Sequence, residues 1–131
     1  MKIGMRLIVL LVTILIICGG CVSLGTEKRL APGDLSSLAG RWTGYVQAGN
    51  YGRRAVELTI SPDGSFVAYH AQARSVGVMT IVDGKVEARG QTTGQQHRST
   101  ASLYERDGKQ ILSGTGYSPT GPYSFQYEKI E

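Results

Sequence analysis

The chain has 131 residues, 18 of them Gly, with 2 Cys and a formal charge of +4. That length fits one domain and excludes a multidomain enzyme. Two Cys exclude a disulfide-stapled mini-fold and a Cys₄ zinc site.

The first element is an export segment. Met1–Arg6 carries Lys2 and Arg6 and no acid, and Leu7–Cys18 is apolar except for Thr13. Gly19 and Gly20 follow, and the apolar character stops at Cys21. A basic start, an apolar run and small residues before a cut site read as a helical secretory signal over residues 1–20. The run is shorter than the roughly 20 residues of a membrane span, and an uncleaved helical anchor is the competing reading.

Gly19-Gly20-Cys21 resembles the lipobox of a bacterial lipoprotein precursor, although Cys18 stands where Leu, Val or Ile is usual. The resemblance implies a diacylglyceryl group on the Cys21 sulfur and an acyl chain, such as palmitate, on the new amino terminus. Several chains on one residue hold a protein on a bilayer, whereas one is marginal. Val22 in place of Asp implies sorting to the outer membrane of the cell envelope, facing the periplasm. Cleavage removes Lys2 and Arg6 and no acid, so the net charge falls from +4 to +2. The basic balance therefore belongs to the precursor, and no nucleic-acid partner is expected. With Cys21 lipidated, the mature chain has no free thiol.

Residues 21–39 form the lipidated Cys and a tether. Val22–Gly33 is poor in apolar residues and lacks periodicity. Asp34–Ala39 predicts one helical turn, with Asp34 as N-cap and Gly40 as stop. The 18 residues between Cys21 and Gly40 could extend about 60 Å.

From residue 40 to 131 the pattern is alternation, predicting eight strands. They are Arg41–Ala48, Arg54–Ser61, Ser65–His70, Ser75–Val82, Lys85–Arg89, Ser99–Glu105, Gln110–Tyr117 and Tyr123–Lys129. Ser75–Val82 is apolar on both faces, so it is either the most buried strand or a contact surface. Asp63-Gly64, Asp83-Gly84 and Asp107-Gly108 are tight hairpin signals, because Gly accepts the positive φ such turns need. Between them lie looser links at Gly49–Gly52, Ala71–Arg74, Gly90–His97 and Ser118–Pro122. In an antiparallel meander the two kinds of link fall at opposite ends. A small closed all-β barrel is preferred to an open sheet, which would expose two edges; a β-sandwich is the alternative. Inward Gly44, Gly114 and Gly116 would relieve crowding where the barrel bends.

Gly40-Arg41-Trp42, after a short helical turn, resembles the opening of lipocalin-like (calycin) barrels. The resemblance implies that Trp42 packs across the closed end under a basic residue of the last strand, here Lys129. The chain is shorter than a full lipocalin, and the pattern leaves open whether the interior is hollow.

No catalytic motif is present: there is no Gly-x-Ser-x-Gly, no His-Glu-x-x-His and no phosphate-binding glycine loop. His70 and His97 lack a nearby carboxylate and make a poor metal pair. No enzyme, cofactor or metal is expected. The looser-loop end gathers Arg53, Arg54, Arg74, Arg89 and Arg98 without an acid, and Tyr51, Tyr117 and Tyr123 fall near it. A one-sign rim attracts anions, and Arg suits carboxylate and phosphate. The expectation is a lipid-anchored, non-enzymatic module binding an anionic or amphipathic ligand, or an envelope protein, at that end. The alternative is a structural or assembly lipoprotein without a ligand, contacting its partner through Val76–Val82.

Overall fold

The computed structural model describes residues 27–71 and 73–131. The expected signal helix, the lipobox and Cys21 lie outside the described residues. Alternation becomes nine strands: β1 (Lys28–Leu30), β2 (Gly40–Ala48), β3 (Arg53–Ile60), β4 (Ser65–His70), β5 (Ala73–Val82), β6 (Lys85–Thr92), β7 (Gln95–Arg106), β8 (Lys109–Ser118) and β9 (Gly121–Lys129). Each of β2–β8 pairs antiparallel with the next strand, and β9 returns to β2, from Trp42↔Lys129 to Ala48↔Tyr123. The result is a closed eight-stranded up-and-down barrel. Closure on one continuous ladder replaces the sandwich alternative. Every barrel strand finds both neighbours within residues 40–129.

The tips alternate between ends as a meander requires. Asp83-Gly84 and Asp107-Gly108 have positive φ at both residues, the geometry of tight hairpins that match strand twist. With Ser61–Gly64 they mark one end, closed by packing. The other end is open. Two open-end links expected to be loose are strand almost throughout. Gln91↔Gln96 and Thr92↔Gln95 pair across a two-residue tip at Thr93-Gly94, and Ser118↔Gly121 pairs across Pro119-Thr120. These polar residues carry no apolar alternation, so only the backbone ladder reveals them as strand.

The tether also differs from expectation. Lys28–Leu30 pairs with β7, from Lys28↔Glu105 to Leu30↔Leu103. β7 outruns β6, whose register begins at Val86↔Ala101, and β1 occupies the edge that β6 leaves. Leu30 packs on the core, and Arg106 donates to Glu27.

A 3₁₀ turn at Leu35–Leu38 lies at the closed end. Asp34 caps it, accepting from Ser37 N at 3.0 Å and Ser36 Oγ at 2.6 Å, and these bonds hold its carboxyl below the usual range. The turn drives Leu38 fully out of solvent beside Trp42. The indole Nε1 donates to Leu38 O at 3.0 Å. Lys129 Nζ sits 5.8 Å from the centre of the Trp42 ring and donates to Ser37 O at 3.3 Å. Gly40, at φ +136°, leaves no room for a side chain: a Cβ would lie 2.0 Å from Glu131 O. Trp42, Leu38, Ile60 and Leu103 thus plug one end of the barrel.

Inside, chain crossings are close. A Cβ at Gly114 would lie 2.1 Å from Thr100 O, and at Gly44 1.9 Å from Gln126 O. Along β5, Met79 and Ser75 are buried, whereas Val78 and Val82 are exposed on the outer wall. β5 is therefore not the most buried strand.

Candidate functional site

Above the plug the barrel is hollow. Its cavity of about 460 Å³ falls within the size range of small-molecule sites, about 300–1,000 Å³. Leu58, Phe66, Met79, Val86, Leu112 and Tyr127 form the apolar lower part. The aromatics of β9 line one wall, with Phe125 stacked on Tyr127 at 5.3 Å and Tyr123 6.2 Å from Phe125.

Towards the open end the lining turns polar. Strand parity decides which side chains enter. Arg54 continues the inward series of Val56, Leu58 and Ile60 on β3. His70 continues Phe66 and Ala68 on β4, and His97 continues Leu103, Ala101 and Ser99 on β7. His70 Nε2 lies 3.1 Å from Ser75 Oγ, which is hydrogen-bonded in turn to Thr92 Oγ1. Across the mouth, His97 Nδ1 lies 3.4 Å from the Tyr123 hydroxyl, with the rings edge to face at 6.2 Å. The Arg54 guanidinium lies 5.8 Å from the ring of Tyr51, which caps the rim on the Gly49–Tyr51 turn.

The electrostatics follow from this packing. Burial pulls the His70 imidazole below its ordinary value, and the charge of Arg54 adds to the effect. Burial also lowers His97, with a further contribution from His70. Both imidazoles therefore favour the neutral form. Burial raises the Tyr123 hydroxyl, opposed by a hydrogen bond with Ser99, and raises Tyr127 further. Among the described residues no carboxylate lines the cavity. The mouth thus presents one fixed cation, two basic imidazoles and several hydroxyls to whatever enters.

Of the expected ligand-binding residues, only Arg54 lines this cavity. Arg53, Arg74, Arg89, Arg98 and Tyr117 are exposed and do not line it. Arg53 lies against the Tyr45 ring at 4.4 Å. Arg89 and Arg98 oppose each other across β6 and β7, and Arg98 opposes Tyr117 across β7 and β8. The physical reason is the two-residue period of a strand, which sends neighbours to opposite faces. Of the three tyrosines expected near that end, Tyr51 and Tyr123 line the cavity. The same period could have identified His70 and His97 as inward, since each shares parity with buried apolar residues of its strand.

Among the described residues there is no group of three or more His, Asp or Glu placed to hold a metal ion. Comparison with protein-family models, curated proteins and solved structures finds no match to this chain.

Proposed function

We propose that this protein is a lipocalin-like carrier, held at the outer membrane through acylated Cys21, that binds an amphipathic ligand inside its barrel without acting on it. The observation that supports this reading most is the cavity itself. It is apolar below, polar at the mouth and sealed at one end by Leu38 and Trp42. A site so divided suits a molecule with a greasy tail and a polar head. The attachment of β1 supports an orientation: Lys28 meets Glu105 beside the Asp107-Gly108 tip, so the chain enters at the plugged end. Between Cys21 and Glu27 six peptide steps span at most about 22 Å. The mouth would then face away from the bilayer.

Native mass spectrometry of the purified full chain tests the carrier reading. A co-purifying small molecule, displaced by a neutral decyl alcohol, is the expected result. A barrel that is empty and binds no decyl alcohol would exclude it. The second reading, a structural envelope lipoprotein, draws on the exposed Val78 and Val82 of β5. Labelled-palmitate incorporation in wild type and Cys21→Ser tests the anchor, and equal label in both would remove it.

A further inference from the structure

We propose that the cavity mouth is a proton-coupled anion site, in which Arg54, His70 and His97 together hold a singly charged head group and bind it more tightly as the medium becomes acidic. The inference rests on the carrier reading and names its ligand class: a monoanionic amphiphile with an uncharged tail.

Three observations carry it. First, the cluster shares one cavity, with Arg54 exposed at its rim and His70 and His97 half-buried below. Arg54, His70 and His97 come from β3, β4 and β7, and all three line the same cavity. Second, the set of charges is one-sided. Taken strand by strand, the ionisable groups facing the cavity are Arg54 on β3, His70 on β4, His97 on β7, and Tyr123 and Tyr127 on β9; Tyr51 adds a phenol at the rim. Residues lining it from β2, β5, β6 and β8 do not ionise in the physiological range, and no acid among the described residues answers the guanidinium there. A cation at the rim of a cavity that offers it no counterion leaves an anion to come from outside. Third, neutral donors complete the cradle. The Ser75 and Tyr123 hydroxyls already touch the imidazoles, Thr92 bonds to Ser75, and all three can turn their protons to an oxyanion.

The proton coupling follows from the same geometry. The two imidazoles disfavour a proton, because both are sheltered from water, His70 faces the charge of Arg54 and His97 that of His70. An anion seated among them reverses the local sign, so protonation becomes favourable. Binding then takes up protons, and affinity must rise as pH falls through the interval between the free and bound imidazole values. The outward Arg53, Arg74, Arg89 and Arg98 do not touch the ligand. They add positive field on the approach.

The test uses the purified full chain, with decanesulfonate as the anionic probe and 1-decanol as the neutral one. The sulfonate stays ionised throughout, so any pH dependence belongs to the protein. Affinity for decanesulfonate should rise about tenfold from about pH 8 to about pH 5.5, while that for decanol stays flat. Calorimetry in two buffers of different ionisation enthalpy should record proton uptake near pH 6.5, at between about half and two protons per ligand; this needs no variant. R54Q should weaken the sulfonate at every pH and leave decanol unchanged. H70Q and H97Q should each reduce the slope. Decanol binding without a pH-dependent sulfonate, or without proton uptake, would overturn the anion site and leave the carrier intact. Failure of both probes would overturn both.

Discussion

Truncating Leu38 separates a plugged barrel from an open tube. The side chain is completely shielded from solvent and comes from a 3₁₀ turn outside the barrel wall. Leu38→Ala removes three carbon atoms, and at about 0.8 kcal/mol per buried methylene the transfer loss alone is about 2.4 kcal/mol. The void beneath the turn adds to this, and Leu-to-Ala substitutions in rigid cores cost about 2.7–5.0 kcal/mol. A domain of this size has about 5–15 kcal/mol of stability, so the substitution removes a large share of it. The single Trp reports the event, since Trp42 packs at the same end and bonds to the Leu38 carbonyl. Urea unfolding followed by its fluorescence should show a midpoint lowered by about 1–3 M. Ile130→Ala, at a site that is 48% exposed, is the control and should cost no more than about 0.5 kcal/mol. A loss below about 1 kcal/mol for Leu38→Ala would mean that the turn does not seal the barrel.

Three further outcomes follow from the same packing. Gly114→Val places a Cβ against the Thr100 carbonyl and should cost about 1–3 kcal/mol or more; an unchanged melting temperature would contradict the close approach. Leu30→Ser should release β1 and speed amide exchange at Leu103 and Glu105, and unaltered rates there would contradict the β1–β7 pairing. His70 and His97 have folded-state values below 6.5, so the unfolded chain binds more protons just under that pH. Their contribution to the stability of the ligand-free barrel is therefore whole above about pH 6.5 and is lost as pH falls through the folded values. Thermal melts of wild type and the double variant H70Q/H97Q should diverge over that interval, with wild type falling faster.

Much of the barrel was legible because its walls have two faces. Val56, Leu58 and Ile60, or Phe125 and Tyr127, announce strands by alternation, and the Asp-Gly pairs announce their tips. The resemblance of Gly40-Arg41-Trp42 to the opening of lipocalin-like barrels implied a plugged end, with Lys129 over the indole. What escaped had no apolar contrast. Gln91–Gln96 is polar on both faces, yet its backbone groups still pair, and Lys28–Leu30 is too short to show a period. The site was obscured for another reason. Counting arginines by their nearness to an end ignored the parity that had already sorted the core, and so put Arg53 with Arg54. Applied two residues further along each strand, that parity selects Arg54, His70 and His97. The hollow interior was not legible, because empty volume depends on how far side chains reach across from opposite walls.

The division of the barrel into a sealed end and an open end also bears on how such a chain can change. Terminal contacts, the 3₁₀ turn and the indole all gather at one pole, so a length change there disturbs several of them at once. At the other pole, Thr93-Gly94 and Pro119-Thr120 are exposed tips, and lengthening them costs little beyond loop-closure entropy. Variation in length should therefore accumulate around the mouth, where new loops could become lids and retune selectivity while the foundation stays fixed.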